Sequence, residues 1–377
     1  MDPIKMVDLK GQYVRIRNEI DRAIQDVLDG TEFINGSPVH TFSTHLEAYL
    51  NVRHVIPCAN GTDALQVALM ALEFNTGDEI ITADFTFIAT VETIALLGLK
   101  PVLVDVDPMN FNMDRQSIEK VITDRTRAII PVHLYGQCAP MEDILDIAKN
   151  HGLYVIEDTA QATGADYIFR DGSTKKAGTM GTIGCTSFFP SKNLGAYGDG
   201  GALFTDDDAL AEELRSIVNH GMKVRYYHDH IGVNSRLDSM QAAILNVKLK
   251  YLDEYNRTRQ DVASHYDAAF EELDSLIIPS REQYSTHIFH QYTLKTNGIE
   301  REYILKALEK HAIPSAIYYP VPLHRQKAFQ YLRYQDKDFP VTEDLCRSVF
   351  SLPMHTELSM DQIEYITRNM KKIVNIQ

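Results

Sequence analysis

Lys192 sits where a lysine can do chemistry. The run Thr186-Ser187-Phe188-Phe189-Pro190-Ser191 leads into it, and Asn193-Leu194-Gly195-Ala196-Tyr197-Gly198-Asp199-Gly200-Gly201 follows. Glycine carries no side chain, so a turn this rich in it lets backbone come close to a ligand. A lysine held there can lose solvent and its proton, and as an amine it can form a Schiff base with a carbonyl. Most lysines are solvated surface charges. Lys192 is distinguished by two other segments.

Val55-Ile56-Pro57-Cys58-Ala59 has the pattern of a short buried strand, then Asn60-Gly61-Thr62-Asp63 precedes a helical run over 64–72. A strand, Gly61-Thr62 and a helix aim free N–H groups and the positive helix end at one point, which makes an anion site. Alone, the same residues read equally as a helix N-cap. In Tyr154-Val155-Ile156-Glu157-Asp158-Thr159-Ala160-Gln161, apolar β-formers end in carboxylates. Open α/β sheets collect ligands at the carboxyl ends of their strands. Asp158 there can pair with a pyridinium nitrogen and keep it protonated, although a helix cap or a surface carboxylate fits the residue as well. Together the anion cradle, the strand-end Asp158 and the glycine-flanked Lys192 make a site for pyridoxal phosphate.

The elements that must position these residues alternate through two-thirds of the chain. Short β runs at 79–82, 101–106, 128–132 and 154–156 are separated by helical patterns such as 141–149. That alternation predicts an α/β fold, a mostly parallel sheet sandwiched by helices. Residues 237–273 are almost continuously helical and predict a long helix or helix pair. It joins a large domain, 1–250, to a smaller C-terminal α/β domain, 251–377. In the smaller domain, strands are expected at 288–294 and 315–319 and a helix at 302–311.

Composition narrows the partners. The 377 residues suffice for a large core, and 44% hydrophobic with 24% charged residues is ordinary for a globular protein. A net charge of −15 argues against nucleic acid or an anionic membrane as partner. Cys58, Cys138, Cys185 and Cys346 have neither disulfide nor zinc spacing, and no metal is expected. Met1-Asp2-Pro3-Ile4-Lys5-Met6 lacks a signal-peptide core and no apolar run approaches spanning length, so a cytoplasmic location is expected. Gly198 and Gly200 begin a dinucleotide fingerprint that fails at Leu203. His228 and His230 flank Asp229 in what reads as a polar loop rather than a metal cluster.

These segments resemble the sugar-nucleotide aminotransferases of the DegT/StrS family, which have the aspartate aminotransferase type of fold. The likeness runs from Val7-Asp8-Leu9-Lys10 to Ser351-Leu352-Pro353-Met354-His355. It includes Phe85-Thr86-Phe87-Ile88-Ala89-Thr90, Leu134-Tyr135-Gly136-Gln137 and Gly232-Val233-Asn234-Ser235-Arg236-Leu237-Asp238. It implies that Lys192 carries the cofactor and moves protons, that Asp158 pairs with the pyridinium and that Gln161 reaches the cofactor's phenolic oxygen. Gly61, Thr62 and Ser187 match the phosphate cradle, and Phe87 the ring stacked on the pyridine. Asn234 matches a residue that enters the neighbouring subunit's site, which implies a homodimer with shared sites. Arg236 and Tyr319 fall where relatives contact the sugar nucleotide; an interface salt bridge is the other reading of Arg236.

The implied reaction moves the amino group of L-glutamate, through pyridoxamine phosphate, to carbon 3 of a keto UDP-sugar for surface-polysaccharide (O-antigen) synthesis. A uronate substrate would need a cationic or multiply hydrogen-bonding partner for its carboxylate; Arg236 is the first candidate, with Arg225 and His324 behind it. Members acting on UDP-uronates carry histidine where this chain has Tyr318, which keeps a dTDP-3-keto-6-deoxyhexose as the alternative. Sugar dehydratases of the family carry histidine at the lysine position, so Lys192 argues against that chemistry. A non-catalytic ligand sensor of the same fold would have no need of Lys192, Asp158 and Ser187 together.

Overall fold

The structure, a computed structural model, describes residues 2–375. Its centre is a seven-stranded sheet in the order His54–Cys58, Gly201–Thr205, Ile183–Ser187, Tyr154–Asp158, Thr126–Ile130, Glu79–Ala83, Lys100–Val104. Gly201–Thr205 runs antiparallel to both neighbours, and the remaining pairs are parallel. Successive residues of a strand face opposite sides of a sheet. Ile81, Ile129 and Val155 therefore enter one apolar cluster while Ile80, Ile130 and Ile156 enter the cluster on the other face. Sheets buried on both faces need such continuous apolar strands, as the sequence pattern predicts.

The helical stretch after Leu237 is a pair, Ser239–Leu249 and Leu252–Phe270, interrupted at Lys250 and Tyr251. A second sheet of Leu276–Ile277, Tyr292–Thr296 and Val349–Leu352 is antiparallel. Val262, Tyr266, Phe270, Ile304 and Met370 pack around it, with Ile304 on the helix Arg301–Lys310. Two strand expectations need correction. Tyr292–Thr296 starts late because Phe289 takes a positive φ of 47° that no strand accommodates. Residues 315–319 contribute only a bridge between Ala316 and Ser351; Pro314 and Pro320, which lack an N–H, bound the segment on both sides. The chain then crosses back, so that Ile317, Tyr318 and Tyr319 pack on the cluster around Ile81. Among the described residues no helix is long and apolar enough to cross a membrane.

Two buried histidines make the fold acid-sensitive. His287 Nδ1 accepts the Phe289 N–H at 3.1 Å, and the ring stacks on Phe289 with centroids 3.8 Å apart. His355 Nδ1 accepts the Glu357 N–H at 3.2 Å while its Nε2–H faces the Lys5 carbonyl. A ring accepting at one nitrogen and buried around the other resists a second proton. Burial, with Arg281 nearby, pulls His287 down to about 3, and burial with Arg259 pulls His355 down to about 4. The unfolded chain takes up protons at these rings below about pH 6.5 and the folded one does not. Stability is therefore full above that pH and falls by about 1.4 kcal/mol per pH unit per ring on acidification towards 4. The urea midpoint should drop between pH 7 and 4.5, and His287→Leu should flatten the dependence; an unchanged slope would refute the assignment.

Candidate active site

Strand register builds the anion cradle. Gly201 pairs with both Cys58 and Ser187, so the ends of three adjacent strands lie level. Asn60 and Gly61 turn directly over that row into the helix Gly61–Ala71. A Cβ on Gly61 would lie 2.6 Å from Ser187 Cβ, and one on Gly201 would lie 2.4 Å from the Asn60 carbonyl oxygen. Both positions exclude any side chain. Asn60 Oδ1 accepts the Asp63 N–H at 2.8 Å. The Gly61 and Thr62 N–H groups belong to the first turn, where the helix itself supplies no acceptor. Ser187 Oγ accepts from the Phe189 N–H at 3.2 Å, which leaves its own hydrogen free to donate. The segment is thus a helix cap and, at the same point, a convergent set of donors for an anion.

Asp158 ends its strand beside Cys185, two residues before Ser187. It is buried, and its carboxylate accepts from Thr90 Oγ1 at 2.8 Å and from the Ala160 N–H at 3.2 Å. Lys192 projects from a closed turn in which its N–H bonds the Phe189 carbonyl and the Ala196 N–H bonds the Phe188 carbonyl, both at 2.8 Å. Burial pulls the Lys192 ammonium down to about 8, and the nearby Asp158 carboxylate opposes part of that shift. An accessible fraction of free amine near neutrality follows, which a nucleophile or base requires.

Gln161 joins the site to the returning chain. Its Oε1 accepts the Tyr135 N–H at 2.7 Å and its Nε2 donates to Tyr319 Oη at 3.1 Å. Phe87 is 53% exposed and lies 6.1 Å from the Tyr319 ring at a tilt of 39°, so it is a free face at the site rather than core packing. Gly61, Thr62, Ser187, Asp158, Lys192, Gln161, Tyr319 and Phe87 thus gather at one edge of the sheet. Thr90 and Tyr135 join them; sequence reasoning passed over both because a threonine and a tyrosine without a charged neighbour give no signal.

His324 does not join them. Its ring is buried, pairs through Nδ1 with Asp84 Oδ2 at 2.6 Å and stacks on Phe339, and its N–H bonds Asp84 Oδ1. Nε2 faces Asp336 and Glu343, both at 3.4 Å. With carboxylates of its own at both nitrogens it has no place for one from a substrate, so the expectation of substrate contact is corrected. Those groups need no metal to balance them, because Arg325 already pairs with Asp336 and Glu343. Ser235, next to Asn234 and Arg236, accepts the Ala59 N–H at 3.0 Å and ties that segment behind the cradle. Asn234 is exposed, and Arg236 makes no ion pair among the described residues.

A model of the DegT/DnrJ/EryC1/StrS aminotransferase family matches residues 14–371. The chain belongs to that family. It is 45% identical over 363 residues to a UDP-2-acetamido-2-deoxy-3-oxo-D-glucuronate aminotransferase of Pseudomonas aeruginosa, covering 96% of this chain and 98% of the relative. It is 44% identical over 372 residues to a UDP-N-acetyl-3-dehydro-alpha-D-glucosamine 3-aminotransferase of Acidithiobacillus ferrooxidans, covering 99% and 98%. A pleiotropic regulatory protein of Geobacillus stearothermophilus is 45% identical over 369 residues, 97% of each chain. Among solved structures, DesV of S. venezuelae, in complex with a ketimine intermediate, superposes with a TM-score of 0.95 at 35% identity, covering 99% and 98%. The chain is therefore an aminotransferase with the fold of that family, and the gathered residues are its candidate active site.

Proposed function

We propose that this aminotransferase uses pyridoxal 5′-phosphate to move the amino group of L-glutamate to carbon 3 of UDP-2-acetamido-2-deoxy-3-oxo-glucuronate, in surface-polysaccharide (O-antigen) synthesis. The observation that carries the cofactor is the convergence of three features at one sheet edge. The Gly61 cradle has no room for a Cβ, the Asp158 carboxylate is buried, and Lys192 is held with a lowered ammonium pKa. When bound, the cofactor supplies a carbonyl for the amino group and a ring that delocalises charge left on carbon. Gly61, Thr62 and Ser187 hold its phosphate, Asp158 keeps its ring nitrogen protonated, Gln161 reaches its phenolic oxygen and Phe87 covers its face. Lys192 would take the α-proton of the donor as free amine and, as ammonium, deliver it to the cofactor's aldehyde carbon.

The working unit in this reading is a cytoplasmic homodimer with a large domain, 1–250, and a small one, 251–377. The hairpin of Met222–Val224 and Tyr227–His228 supports the dimer, since it exposes Val224, Tyr226, Tyr227 and the nearby Ile231 to solvent. Asn234, on the chain leaving that hairpin, is the residue we assign to the partner's site. Arg236 and Tyr319 face the sugar nucleotide, with Arg236 free of ion pairs among the described residues and so able to hold the uronate.

The test compares three acceptors: the 3-keto uronate, its UDP-3-keto-N-acetylglucosamine counterpart and dTDP-3-keto-6-deoxyglucose. Wild type should prefer the uronate. Arg236→Met should lower kcat/KM for it by about 10- to 100-fold, the worth of one charge-assisted hydrogen bond, and leave the neutral sugars nearly unaffected. Equal turnover of the acceptors, or a preference for the dTDP sugar, would overturn the uronate reading.

A further inference from the structure

Lys248 is fully buried in the helix Ser239–Leu249, and no carboxylate accompanies it there among the described residues. Its Nζ donates to the Gly195 carbonyl and sits 5.3 Å from the centre of the Tyr197 ring. Gln241, two turns earlier on the same helix, accepts the Tyr197 N–H through Oε1 at 2.9 Å. An unpaired lysine is costly to bury, so its retention in a packed helix face calls for a task that an apolar side chain could not perform. Gly195 closes the Lys192 turn, and a Cβ there would lie 2.3 Å from the Pro190 carbonyl oxygen. The turn is therefore tight, and a pull on one carbonyl moves the whole of it.

We infer that Lys248 is a positioning residue: through the Gly195 carbonyl it holds the turn in the register that points Lys192 at its reacting carbon. The inference rests on the pyridoxal phosphate reading above. Without the Lys248 donor the buried Gly195 carbonyl is unsatisfied, and the turn must shift to find another partner. Displacement of a reacting group by about 1 Å can cost about 10²-fold in rate. The same displacement leaves the Gly61 cradle and Asp158 where they are, since neither touches Lys248.

Apoenzyme of wild type, Lys248→Met and Lys248→Gln is mixed with pyridoxal phosphate, and covalent capture by Lys192 is followed by absorbance and by borohydride trapping. Pyridoxamine phosphate, which uses the cradle and Asp158 but forms no bond to Lys192, is titrated in parallel. Lys248→Met should slow capture about tenfold or more and lower kcat with little change in the KM for glutamate, while pyridoxamine phosphate binds as in wild type. Lys248→Gln keeps a neutral donor and should recover part of the rate, and it carries the test if the methionine variant fails to fold. Capture at the wild-type rate in a folded variant would overturn the inference, as would capture and pyridoxamine phosphate binding falling together. Failure of wild type to capture the aldehyde at all would instead count against the cofactor reading.

Discussion

Lys192→Ala is expected to abolish turnover while leaving the protein folded and able to bind its cofactor. The side chain is only half-buried, and its main-chain bond to Phe189 remains in the variant. Removing a partly desolvated ammonium takes away a cost as well as a contact, so the melting temperature should move little. The chemistry loses both the covalent tether and the group that moves the proton. Loss of a general base alone is worth about 10²–10⁴-fold, and the loss of the nucleophile adds to it. Borohydride treatment followed by mass spectrometry should fix pyridoxal phosphate to wild type at Lys192 and not to the variant. Single-turnover amino transfer at even one-tenth of the wild-type rate in Lys192→Ala would remove Lys192 from the mechanism.

Asp158→Asn should lower kcat by about 10²–10³-fold, the usual cost of one preorganised electrostatic contact. Asparagine keeps the shape and can still accept from Thr90 Oγ1 or the Ala160 N–H, so stability should change by about 1 kcal/mol or less. What it lacks is the charge that holds a proton on a ring nitrogen. Binding of pyridoxamine phosphate should weaken far less than kcat falls, because the Gly61, Thr62 and Ser187 donors are untouched. Asp158→Ala, by contrast, leaves the Thr90 hydroxyl and the Ala160 N–H without their acceptor and should also destabilise the fold. If the asparagine variant keeps full kcat, the buried carboxylate is a strand-end cap for Thr90 and Ala160 and nothing more.

Much of this was legible in the residues. The strands at 79–83, 126–130 and 154–158 announce themselves because a sheet covered on both faces needs unbroken apolar runs, and such runs are local facts of sequence. Lys192, Asp158 and Gly61 were readable for a related reason: each lies at the end of an element, where a glycine, a charge or a cap departs from the apolar pattern around it. Strand boundaries after residue 280 were not, because the positive φ that interrupts the run at Phe289 leaves no mark on its apolar pattern.

The sequence by itself determined the α/β class and marked out the lysine and its two companion segments as the place to look for chemistry. Side-chain type and spacing suffice for that. Only the tertiary structure decided which of the remaining polar residues meet. It brought Tyr319 to Gln161 and Thr90 to Asp158 across 158 and 68 residues of chain. It sent His324 to Asp84 instead of to the substrate, and it set Lys248 against the Lys192 turn. A histidine or a buried lysine reads the same in sequence whether it faces a ligand or an internal carbonyl or carboxylate. Its partner is chosen by long-range packing, and the free energy of burying a polar group depends on that partner.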